Sequence, residues 1–83
     1  MESAEIQEMI LKGIPEAEVY VDGDGSHFVA RVIYDEFEGM PLIRQHKLVY
    51  ATLGTTMGDA IHALSIQTYT KKSWEKAQLF QAN

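Results

Sequence analysis

Apolar and polar positions change their period several times along the chain, and each change marks an element. Ile6, Met9 and Ile10 recur at i, i+3 and i+4, the stripe of an amphipathic helix over residues 3–12. Ser3 stands where an N-cap is expected, acidic residues in the first turn suit the helix dipole, and Gly13 with Pro15 stops the element. From residue 17 to 21 the period falls to two. Ala17, Val19 and Val21 share one face and Glu18 and Tyr20 the other, as in a half-buried strand. Asp22-Gly23-Asp24-Gly25 reads as a hairpin turn, because both glycines tolerate positive φ. Residues 26–34 alternate again, with Phe28, Ala30, Val32 and Tyr34 opposed to His27, Val29, Arg31 and Ile33.

Residues 35–39 break the pattern and are expected to form a loop or short turn. Pro41 suits the first position of a second helix running to about Leu53, with Leu42, Val49 and Leu53 as its buried stripe. Gly54-Thr55-Thr56 interrupts it, and Met57–Ile61 is expected to add one short turn. Residues 63–69 form a third strand with Leu64 and Ile66 inward. Thr70 then caps a last helix over 71–80, anchored in the core by Trp74. The order is α-β-β-α-β-α. A strand–helix–strand crossover makes the second and third strands parallel, so the sheet is three-stranded and mixed.

Composition narrows what such a domain can do. A chain of 83 residues forms one small domain, with little volume for a deep substrate cavity. There is no cysteine, which excludes disulfides and thiolate metal sites built from this chain alone. No apolar run is long enough to span a bilayer, and the acidic start does not resemble a signal peptide, so a cytoplasmic protein is expected. The net charge of −5 argues against nucleic acid as the main partner. The charge is segregated, however. Residues 39–83 hold Arg44, Lys47, Lys71, Lys72 and Lys76 against only Asp59 and Glu75.

The three histidines are the candidates for chemistry. His27 opens the second strand and His62 immediately precedes the third. If those strands are parallel neighbours, their beginnings share one edge of the sheet. Two imidazoles there can hold a borderline metal or cap an iron–sulfur cluster, with the remaining ligands external, or each can be an ordinary boundary residue. His46 sits among Arg44 and Lys47, which share a helix face suited to phosphate or an acidic partner; alternatively His46 lies against the core. The glycine turn lacks the lysine and helix of a phosphate loop. No nucleophile–base arrangement or paired-carboxylate motif stands out, which points to binding rather than catalysis.

Several segments together resemble the BolA family, in its order and spacing. They are Gly25-Ser26-His27-Phe28, residues 37–40 (FEGM), residues 44–50 (RQHKLVY), residues 61–66 (IHALSI), Tyr69-Thr70 and Trp74. The short turn and acidic N-terminus resemble its small bacterial IbaG/YrbA-like branch, which is tied to stress, including acid stress. The resemblance implies a class II KH-like α/β (α+β) fold. It also implies partnership with a monothiol glutaredoxin that shares a [2Fe-2S] cluster. His62 matches the family's histidine ligand, and His27 is the candidate for the second. Glutaredoxin and glutathione would supply the thiolates, and the isolated chain, a monomer or weak homodimer, would carry no cluster. The family's other tradition is DNA-binding transcriptional regulation, for which Arg44, His46 and Lys47 would form the contact surface. Against it, Gly23-Asp24-Gly25 is not the G-x-x-G loop of nucleic-acid-binding KH domains, and Asp24 would repel phosphate.

Overall fold

A computed structural model describes residues 2–81 of the chain. The elements follow the expected order: α1 (Ser3–Gly13), β1 (Glu18–Gly23), β2 (Phe28–Ile33), a 3-10 turn (Asp35–Phe37), α2 (Leu42–Leu53), a second 3-10 helix (Gly58–Ala63), β3 (Leu64–Tyr69) and α3 (Lys71–Gln81). The sheet order is β1-β2-β3. β1 pairs antiparallel with β2, and β2 pairs parallel with β3, as the crossover requires. No helix among the described residues is long and apolar enough to cross a membrane.

One face of the sheet carries Val19, Val21, Phe28, Ala30, Val32, Leu64 and Ile66, which the register sets side by side. Ile6 and Ile10 of α1 and Val49 and Leu53 of α2 close over this face and are almost entirely buried. The other face carries Glu18, Tyr20, Arg31, Ile33, Gln67 and Tyr69. Among the described residues, only α3 lies against it. Trp74 stacks on Tyr20 at 5.7 Å and meets Tyr69 edge-on at 5.0 Å. Trp74 is therefore half-buried on the back of the sheet and does not belong to the main core, contrary to the sequence expectation. Ile33 is buried on the same side because the strand is covered from both faces.

Several boundaries and burial assignments differ from expectation, each for a local reason. Glu2, not Ser3, occupies the N-cap of α1, where its N–H donates to the Glu5 carboxylate at 3.1 Å. Gly13 is the last residue of α1 rather than the stop beyond it. Ala17 is buried but lies before β1, since its N–H bonds back to Ile14 O at 3.1 Å. Gly23 pairs with Phe28 as the last residue of β1, so of the two turn glycines only Gly25 takes a positive φ, 92°. Gly23 answers to space instead, because a Cβ there would meet the Phe28 ring at 2.4 Å. Tyr34 falls just outside β2, although its N–H still donates to Tyr69 O at 2.8 Å.

The loop after β2 is where pattern reading fails most. Phe37 is 2% exposed and belongs to the core. Leu42, expected inside, is 63% exposed. The first turn of α2 projects past the core, and Gln45 provides its anchor. The Gln45 amide donates to Met40 O at 2.7 Å and Phe37 O at 3.3 Å and accepts the Thr68 hydroxyl. At the next junction Thr70 caps α3 as expected, accepting the Ser73 N–H at 3.2 Å. Asp35 adds a second cap, its carboxylate accepting the Lys71 N–H at 2.9 Å.

Candidate functional site

Parallel pairing brings the beginnings of β2 and β3 together. Phe28 faces Leu64 across the ladder, and the strands of a sheet lie about 4.8 Å apart. His27 directly precedes Phe28, and His62 lies two residues before Leu64. The two imidazoles thus stand at one rim of the sheet, and both are exposed. His62 does not abut the strand as expected. It sits in the last turn of the 3-10 helix Gly58–Ala63, and that turn closes when Leu64 N–H donates to Ile61 O. Among the described residues, no three His, Cys, Asp or Glu side chains gather in a metal-binding group.

Asp24 builds the backbone that presents His27. Its carboxylate accepts the N–H of Ser26 and of His27, each at 2.9 Å, while its own N–H donates to His27 O at 3.2 Å. An acidic residue bonding backbone N–H groups two and three residues on is an Asx-type turn. By sequence Asp24 reads only as part of a turn, and its place just ahead of the Gly25-Ser26-His27 run is the one local clue to its role. The two N–H donors, His27's first, hold the Asp24 carboxyl below its ordinary value of 3.8. A depressed folded pKa makes the bonds fully available above the ordinary value and lost as pH falls through the lower, folded one. The Ser26 amide signal should therefore show an acid-side movement centred below the ordinary carboxylate value. In Asp24→Ala that acid-side movement should vanish, and amide exchange at His27 should quicken at every pH. A transition in the variant matching the parent's would exclude Asp24 as its source.

The basic candidates lie elsewhere. Arg44 and Lys47 are exposed on α2, and His46 is half-buried between the surface and the core. Gln45, beside them, reaches Thr68 near the end of β3. Leu64 and Thr68 are four strand residues apart, roughly 13 Å of extended chain. The pair His27 and His62 and the group Arg44, His46 and Lys47 therefore occupy opposite ends of the sheet. A third polar feature, the ion pair of Arg31 with Asp22 at 3.1 Å, lies on the back face near Tyr20 and Trp74.

A family profile described as BolA-like protein matches residues 6–73. The chain belongs to the BolA family. Among BolA relatives, the Acid stress protein IbaG of Escherichia coli strain K12 is 38% identical over 77 residues, which cover 92% of each chain. The DNA-binding transcriptional regulator BolA of Vibrio cholerae is 37% identical over 76 residues, 89% of this chain and 72% of that protein. The fold is shared with a bolA protein homologue from Coxiella burnetii at a TM-score of 0.79 and 41% identity, covering 90% of this chain and 97% of the other. The likeness to IbaG runs almost end to end, in keeping with the small bacterial branch of the BolA family.

Proposed function

We propose that this BolA-family chain is a stress-related adaptor that binds a monothiol glutaredoxin and shares a [2Fe-2S] cluster with it. His62 and His27 would each offer an imidazole nitrogen to one iron, and glutaredoxin and glutathione would supply thiolates to the other. The observation that carries this reading is the gathering of two exposed imidazoles at one rim of a chain that has no cysteine. The donor set fits half of a site: imidazole suits iron, and mixed imidazole–thiolate ligation of a two-iron cluster is chemically established. No third protein ligand stands beside them among the described residues, so a complete site needs a partner. The acid-stress name of the IbaG relative accords with the stress-related part of the proposal.

The test is assembly of the chain with a monothiol glutaredoxin, glutathione, iron and sulfide, followed by visible circular dichroism. A spectrum distinct from that of the cluster on glutaredoxin alone is expected. An unchanged glutaredoxin spectrum would refute the shared site.

A second reading, DNA binding through α2, is favoured by one observation. Arg44 and Lys47 are exposed on a helix without a single acidic residue, and the Vibrio cholerae relative is named a DNA-binding regulator. It predicts that neutralising both residues lowers the slope of log K against log salt by roughly two. A slope that does not move removes α2 from the interface.

A further inference from the structure

β3 is an edge strand, and its outer edge lacks the usual protections. It is six residues long and carries no charged residue and no proline. Edge strands normally blunt that side with charges, prolines or bulges, and β1 at the opposite edge does carry Glu18 and Asp22. The direction of the free groups follows from one bond. Tyr34 N–H donates to Tyr69 O, so the peptide groups of Tyr69 face β2. Alternation along the strand then turns those of Ile66 and Thr68 outward. Neither N–H has a hydrogen-bond partner outside the ladder among the described residues.

α1 packs over β1 and α2 over β3, so the flank of α2 turned away from α1 lies on the side of this edge. α1 packs against the opposite flank, where a Cβ at Gly13 would meet Thr52 Cγ2 at 2.4 Å. The flank turned away from α1 carries Ile43, His46, Lys47 and Tyr50, spaced i, i+3, i+4 and i+7. Ile43 is 71% exposed and Tyr50 36%. An open row of backbone groups beside a helix flank of apolar and basic side chains suits an added strand, whose main chain pairs with the edge while alternate side chains meet the helix.

We infer that the outer edge of β3 and the flank Ile43–Tyr50 of α2 form a docking site for an extended segment of a partner protein that bears both apolar and acidic side chains. Charge complementarity selects the acids: neither α2 nor β3 contains an acidic residue, and Lys47 stands exposed on the flank. A second copy paired about a two-fold axis would set Lys47 against basic residues of an identical helix with no carboxylate on either flank. Duplex DNA would leave Ile43 and the β3 edge unused.

The experiment titrates the isotope-labelled chain with a short peptide of alternating valine and glutamate, long enough to span β3, and follows amide hydrogen exchange by NMR. Exchange at the Ile66 and Thr68 amides should slow by about tenfold or more at saturation, with shift changes along the Ile43–Tyr50 flank. Ile43→Glu alters an exposed position and should weaken binding by about tenfold while the fold's spectrum persists. Lys47→Glu should weaken it as well and independently. No binding, or binding that leaves those two amides unprotected, would overturn the proposal. So would equal binding of a valine–lysine peptide, protection of the edge by self-association without peptide, or protection by duplex DNA in place of the peptide.

Discussion

His62→Ala should abolish the distinctive visible spectrum of the complex, leaving that of the cluster on glutaredoxin alone, and keep the fold intact. The side chain is exposed and makes no hydrogen bond among the described residues, so its removal should change stability by less than about 0.5 kcal/mol. Yet in the proposed site it is one of only two ligands this chain offers, and losing an iron ligand leaves a vacancy that a methyl group cannot fill. His27→Ala should weaken the same spectrum. His46→Ala, at the far end of the sheet, should not change it, and this control separates ligation from a general effect of losing an imidazole. Visible circular dichroism of the reconstituted complex, with a thermal melt of each variant alone, checks all three. A His62→Ala complex with the parent spectrum would remove that residue from the cluster.

Phe37→Ala should destabilise the fold far more than any of these histidine substitutions. Phe37 is 2% exposed, lies in the main core and meets Tyr34 edge-on at 5.3 Å. Truncating a buried phenylalanine costs about 3–5 kcal/mol through lost burial and the cavity left behind. For a domain of this size each kcal/mol moves the midpoint by about 4–8 °C, so a fall of at least about 12 °C is expected in a circular-dichroism melt. Leu42→Ala is the matched comparison. Its helical spacing marks it as core, but at 63% exposure its truncation should cost less than about 0.5 kcal/mol. Equal losses from the two variants would contradict the packing around the start of α2.

The separation of the two candidate surfaces also matters for experiments. Cluster ligation at His27 and His62 and any contact through Arg44 and Lys47 are mounted on opposite ends of the same sheet. Substitutions at one end should therefore leave the other's binding within about 0.5 kcal/mol, the additivity expected of distant sites.

Local pattern carried the element order, the mixed sheet and the placing of His27 and His62 at one rim. Period two and period 3.6 report which side of a segment is apolar, and a crossover of this length makes its strands parallel whatever the details. The family resemblance was likewise written in short runs such as residues 61–66 (IHALSI). Irregular segments have no period to read. Nothing local distinguishes Phe37, in a 3-10 turn, from a surface aromatic, and only closure of α2 over the sheet buries it. Leu42 fails in the opposite sense, because helical spacing does not say where the core ends. Trp74 is apolar enough for any core, but α3 reaches the chain only across the back of the sheet, where Tyr20 and Tyr69 await it. The bonds of Gln45 to Thr68 and of Asp35 to Lys71 join segments distant in sequence, and the edge of β3 is open because no further strand packs beside it among the described residues. Those features depend on which neighbour is present in space, and proximity of that kind exists only once the chain has packed.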